Sequence, residues 1–208
     1  MLVIALSTLF WVSFWWYVNN RLPLPPKVLK EEDPWKRECK KQTHFGYYLS
    51  LVNAVMFIFV AGVDFIAEPY VTARPNSALV LTAIKISLPY LFLDTITGYY
   101  YGFNDWAMNF HHILVFTAYA QSFYFRRSGV EMNYCLFFGE LTNPLNIMRI
   151  IYEDHGRKKA SELCALLFMV IFVLVRGPFS VYMSYEIVLP SAVNYVLKIT
   201  YLLTCTLK

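Results

Sequence analysis

Long apolar runs, rather than narrow stripes or strict alternation, dominate this chain. A helix needs roughly 20 mainly apolar residues to cross about 30 Å of hydrocarbon. Seven stretches approach that requirement: 1–18, about 45–66, 78–100, 108–125, 132–152, 161–184 and 187–207. The fifth is the least apolar, and Arg176-Gly177-Pro178 interrupts the sixth. The pattern predicts an all-α polytopic membrane protein with about seven transmembrane helices.

One polar stretch is long. Residues 19–44 open with Arg21-Leu22-Pro23-Leu24-Pro25-Pro26, a stiff extended run, and continue as a dense charge mixture from Lys27 to Lys41. This divides the chain into a peripheral helix (1–18), a charged Pro-containing linker (19–44) and a six-helix membrane domain (45–208). The cluster Trp11, Trp15, Trp16 and Tyr17 reads as an interfacial belt at the end of the first span. No basic n-region or small-residue cleavage site marks that span as a removable signal, so it is read as retained.

Charge adds orientation. The linker carries Arg21, Lys27, Lys30, Lys36, Arg37, Lys40 and Lys41, and the 153–160 loop adds Arg157, Lys158 and Lys159. The other side has Arg74, Arg126 and Arg127. The bias places the linker and the C-terminus inside and the N-terminus outside or lumenal. A net charge of +4, concentrated in one loop, speaks to that orientation and not to nucleic acid. Composition agrees with a membrane location: 58% of residues are apolar and 15% charged, against about 25% charged in soluble domains.

Ionisable residues inside spans cost about 2.5–3.5 kcal/mol each on insertion scales and usually face the bundle interior. Asp94, Glu140, Arg176 and Lys198 lie deepest; Asp64, Lys85 and Arg149 lie near span ends, where snorkelling is the simpler reading. His111 and His112 are adjacent and diverge by about 100° on a helix, which suits one cavity-facing imidazole better than joint metal chelation. An imidazole beside a carboxylate is a general-base arrangement; two interfacial histidines satisfied by backbone and water are the plainer reading of the same spacing. Gly98-x-x-x-Gly102 offers a weak signal of close helix approach.

Several of these residues fall in a recognisable order. Phe92-Leu93-Asp94, then Asp105-Trp106-Ala107-Met108-Asn109-Phe110-His111-His112-Ile113, resembles the core of the TLC domain, shared by the translocation-associated membrane protein, the longevity-assurance ceramide synthases and the neuronal-ceroid-lipofuscinosis membrane protein. Gly139-Glu140-Leu141-Thr142-Asn143-Pro144-Leu145-Asn146-Ile147-Met148-Arg149 resembles the E-[ST]-x-P-x-x-N-x-R stretch of the TLC-domain-containing branch, and Arg176 resembles the Arg of the penultimate family helix. The resemblance covers roughly 40–207. It departs at Asn53, which stands in Ser50-Leu51-Val52-Asn53 where the family often has His. The ceramide-synthase His-Asp-x-x-x-Asp segment is also replaced by Glu140 with Thr142 and Pro144.

The resemblance implies a six-helix barrel around a lipid-accessible cavity, with one helix outside it. It implies that the protein binds or processes acyl lipids. His111 or His112 would act as base or acyl carrier, Asp94 or Glu140 would orient the imidazole, and acyl-CoA would be the acyl donor. Arg176, with Asn53, Asn146 and Arg149, would hold an anionic head group. No resident cofactor and no metal are expected. The endoplasmic reticulum is the implied location, with the mitochondrial inner membrane as the alternative. Asn53 argues against catalysis, which leaves open a non-catalytic lipid binder or an accessory subunit of a larger membrane complex.

Overall fold

Asp33 and Pro34 start the longest helix. The Asp33 carboxylate accepts from the backbone N–H of Lys36 at 2.9 Å, and Pro34 occupies the first turn, where its missing N–H costs nothing. The computed structural model describes residues 2–68, 70–71, 74–188 and 198. Its elements are α1 (Leu2–Arg21), α2 (Pro26–Leu29), α3 (Pro34–Ala67), α4 (Ala78–Tyr101), α5 (Trp106–Phe125), α6 (Gly129–Glu140), α7 (Asn143–Asp154), α8 (Lys158–Ile171), a π-helical turn (Phe172–Arg176) and α9 (Gly177–Val188). The regular structure of the described residues is helical.

Four helices among the described residues are long and apolar enough to cross a membrane: 2–21, 34–67, 78–101 and 158–183. The last runs α8, the π turn and part of α9 together. Pro178 has no N–H to give the carbonyl four residues back, and the helix widens into a π turn immediately before it. α5 has the length, but Asn109, His111, His112 and Gln121 interrupt its apolar surface, and it is not among the four. The expected span at about 132–152 is two 12-residue helices, α6 and α7. Pro144 leaves the Glu140 carbonyl without its i+4 donor, and the ladder breaks there. At about 1.5 Å per residue neither half spans a bilayer. The expected seventh stretch lies outside the described residues, apart from residues 187 and 188, which end α9, and Lys198.

The linker boundary at 44 is not a structural break, because α3 begins at Pro34. Thirty-four residues make a helix of about 51 Å, so one end of α3 extends beyond the hydrocarbon. The outer helix is firmly docked: α1 packs on α4 and α3. Trp11, expected in the interfacial belt, is fully buried, and its indole N–H donates to the Ile86 carbonyl at 3.0 Å, which Ser7 also reaches at 2.8 Å. Ile86 lies three residues before Pro89, where the missing N–H disturbs the ladder. Trp16 and Tyr17, by contrast, are exposed. The main core gathers Trp11, Phe45, Ile84, Tyr119 and Val130 from α1, α3, α4, α5 and α6.

The two ends of the bundle differ. At one end Lys27 pairs with Asp154 at 3.3 Å, which brings the basic linker onto the basic 153–160 loop, and Trp35 packs against Tyr100 and Tyr101. Here Lys40 pairs with Glu31 and holds its carboxyl below the ordinary carboxylate range. At the other end the backbone of Asn76 donates to the Arg126 carbonyl at 3.0 Å, and the Asn76 side chain bridges Ser122 and the N–H of Gly129. Lys and Arg thus concentrate at one end of the molecule.

The Gly98–Gly102 pair serves a turn rather than a helix–helix contact. Gly102 ends α4 in the left-handed region at φ 67°, which glycine adopts at least cost. A Cβ on Gly98 would sit 2.0 Å from Asn104 Nδ2, the atom that reaches the Asp94 carbonyl at 3.5 Å. Gly98→Ala is expected to lower stability by about 1–3 kcal/mol through this overpacking. Adding Asn104→Gly should relieve the clash. Thermal unfolding in detergent checks both, and an unchanged midpoint for Gly98→Ala would refute the packing account.

Candidate functional site

α4 and α5 are antiparallel neighbours joined by the 102–105 turn. Asp105 caps α5 by accepting from the Met108 N–H at 2.8 Å, and this cap fixes the helical phase of the residues that follow. His112 then faces α4, where Asp94 waits. His112 Nε2 lies 3.4 Å from Asp94 Oδ2, and both residues are more than nine-tenths buried. The other ring nitrogen, Nδ1, lies 3.1 Å from Thr95 Oγ1.

The proton inventory of this chain can be worked out. Thr95 has one hydroxyl proton, and it goes to the Leu91 carbonyl at 2.7 Å. Towards His112 the hydroxyl therefore accepts, so Nδ1 carries a proton. Nε2 and Oδ2 are left facing each other, and one proton shared between them makes the contact attractive. The resemblance gave Asp94 or Glu140 the orienting role and the imidazole the contact with substrate. In the structure Thr95 holds Nδ1 and Asp94 faces Nε2, so both imidazole nitrogens face protein groups.

Thr95→Val keeps the shape and removes the acceptor. It is expected to release the His112 tautomer, read as a change in the ¹⁵N shift of Nδ1, while Thr95→Ser keeps the wild-type signal. Identical spectra for Val and Ser would show that Thr95 does not set the tautomer.

The remaining candidates are placed separately. His111 has its ring centroid 6.0 Å from that of His112 and follows the expected divergence. Glu140 accepts from Asn143 Nδ2 at 2.9 Å at the α6–α7 break, and Tyr90 lies within Coulombic reach of both Glu140 and Asp94. Tyr90 in turn hydrogen-bonds Ser50 at 2.9 Å. Arg176 donates to the Gly139 carbonyl at 3.0 Å and lies over Phe172, so its charge sits at the C-terminal end of α6, where a cation complements the helix dipole. Arg149 pairs with Glu153 at 3.5 Å and donates to Asn146 at 3.3 Å, both on α7. Asn53 is buried on α3 with no hydrogen bond to its Oδ1 among the described residues. The four head-group candidates therefore sit on three elements, α3, α7 and the π turn, and among the described contacts Asn146 and Arg149 are the two that meet.

Three polar groupings were missed from sequence. His44, almost fully buried, sits 3.1 Å from Asp154, a pairing 110 residues apart. Asp64 does not snorkel: it is 1% exposed and held by Arg74 and Ser77. Glu131 and Asn133 are buried in the first turns of α6.

No family model matches the chain, and no solved structure matches it.

Proposed function

We propose that the protein is an integral membrane protein that binds an acyl lipid beside the Asp94–His112 pair and exchanges a proton with it. The observation that carries this reading is the chain Thr95–His112–Asp94. A carboxylate and an imidazole, both withdrawn from water, are held in order by a hydroxyl whose own proton is committed elsewhere. Burial at this cost has a function by default in a membrane helix. The TLC resemblance supplies the substrate class.

In this reading the acyl donor is a thioester such as acyl-CoA. The bond from acyl carbon to sulfur breaks, and a bond to a hydroxyl or amine of a membrane lipid forms. The nucleophile's proton passes to Asp94, with His112 sharing the charge, and then to the departing thiol. Acyl-CoA is polar, which favours entry from the basic end; that end lies inside, with the N-terminus lumenal, and the endoplasmic reticulum is the compartment. The body is read as the six-helix barrel that the resemblance implies, with α1 outside it.

The test is transfer of a labelled acyl chain from acyl-CoA to lipid in vesicles of total membrane lipid containing the purified protein. Transfer above protein-free vesicles is expected. Its absence across hydroxyl- and amine-bearing acceptors would overturn the enzymatic part. A second reading, an accessory subunit, draws on the 158–183 helix, of which only 6% is buried in the most apolar window. A stable monomer in native-membrane nanodiscs would oppose it.

A further inference from the structure

The four helices of membrane-crossing length, 2–21, 34–67, 78–101 and 158–183, all bring an end to one pole of the bundle. Asn19, near the end of α1, accepts from the Gln42 side chain of α3 at 2.7 Å. Trp35, in the first turn of α3, packs on Tyr100 at the end of α4. Asp154, at the end of α7 and four residues before α8, meets His44 of α3. Helices of this length and apolarity end at the head groups, so the pole they share lies at that depth. Exposed Trp35 and Tyr100 suit the same level.

The charge of the chain collects at this pole. Residues 19–44 and 153–160 hold ten Lys and Arg against six Asp and Glu. The rest of the chain holds eight of each, so these two segments carry the whole formal net charge of +4. Most of their carboxylates are engaged within the protein. Glu31 pairs with Lys40, Glu38 with Lys41, Asp154 with Lys27 and Glu153 with Arg149, while Asp33 caps α3. Lys30, Lys36, Arg157, Lys158 and Lys159 are exposed and join no ion pair among the described residues. Glu32, and Glu162 one turn into α8, are the acidic residues left to oppose these five. The Lys27–Asp154 contact brings the two segments together, and Lys30 and Arg157 each follow it by three residues.

We propose that this pole is a docking surface for the head groups of anionic phospholipids in the leaflet it meets. Cations at head-group depth attract an anionic head group over a zwitterionic one. The carboxylates that would repel such a lipid are held by Lys27, Lys40 and Lys41, which leaves the five exposed cations to face the bilayer surface. The surface takes several lipids side by side at the boundary of the protein rather than one in a pocket. It rests on the membrane reading of the protein and needs no acyl transfer.

Electron spin resonance of the full chain in phosphatidylcholine bilayers tests this. The probes are trace spin-labelled phosphatidylserine and phosphatidylcholine, and the motionally restricted fraction of each gives its affinity for the protein boundary. One cation near the surface is worth about fivefold on an anionic lipid, so a preference for the serine lipid of about threefold is expected as an average over two leaflets. In ~1 M salt, where the Debye length is about 3 Å, the preference should vanish. Replacing Lys30, Lys36, Arg157, Lys158 and Lys159 together by Gln should also remove it, at exposed positions that leave the packing alone. Changing the four lysines of that set to Arg should retain it, as should Arg126→Gln with Arg127→Gln at the opposite pole. No acyl-CoA is present, so the outcome is independent of any chemistry at Asp94. Equal affinity of the two probes in the wild type would overturn the proposal, and so would a preference that survives the fivefold Gln variant.

Discussion

Replacing Arg74 by methionine is expected to destabilise the protein by about 3–5 kcal/mol, because it strands a buried carboxylate. Asp64 is 1% exposed near the end of α3, and Arg74 Nη2 lies 3.2 Å from its Oδ2. Ser77 is a further donor: its hydroxyl gives its proton to Asp64 Oδ1 at 2.7 Å and accepts from the Val80 N–H as the cap of α4. One carboxylate thus ties the end of α3 to the start of α4. The pair is not symmetric. Arg74 also reaches Glu68 at 2.7 Å, so Asp64→Asn leaves it a partner and keeps an acceptor for Ser77. That variant should cost about 1–3 kcal/mol. Glu68 is about half exposed, and Glu68→Ala should cost no more than about 1 kcal/mol. Arg74→Met with Asp64→Leu should recover much of the loss, since a buried pair replaced whole by apolar groups is often neutral. Thermal unfolding in detergent, followed by tryptophan emission, ranks the four. A loss for Arg74→Met no greater than that for Glu68→Ala would show that the pair does not hold the helices.

The same pair shows where sequence reading stops. Asp64 lies near a span end, and from position alone snorkelling is the cheaper solution. Its partner comes ten residues later across a loop, and no helical spacing signals it. His44 and Asp154 are further apart still. The apolar runs did reveal the four long apolar helices, because hydrocarbon demands a satisfied backbone and a length fixed by bilayer thickness. They did not reveal the α6–α7 break, because Pro144 sits inside an apolar stretch and membrane helices tolerate proline. Trp11 misled for a related reason: an indole suits an interface, but it also suits a buried contact when its N–H finds an acceptor, and Ile86 supplies one beside Pro89. At the candidate site the adjacency of His111 and His112 carried real information, since a 100° step lets only one of them face Asp94. Thr95 carried none, although it stands next to Asp94 in the chain.

Asp94→Asn is expected to lower the proposed acyl transfer by about 10²–10⁴-fold, the span of general acid–base contributions, while leaving the fold intact. The reason lies in the proton inventory. With Nδ1–H donated to Thr95, Nε2 is an acceptor, and an Asn amide at position 94 can donate to it. The geometry survives and the transferable proton does not. His112→Ala should lose as much activity but also stability, by about 1–3 kcal/mol, since Thr95 and Asp94 both lose a buried partner. The double variant should be no slower than either single one, as residues that act as one unit are grossly non-additive. His111→Ala should retain most activity, because its ring is not the one facing Asp94. This last variant separates the two histidines, which sequence alone treats as equivalent. If His111→Ala matched His112→Ala in lost transfer at equal stability, the proton would not travel through Asp94–His112.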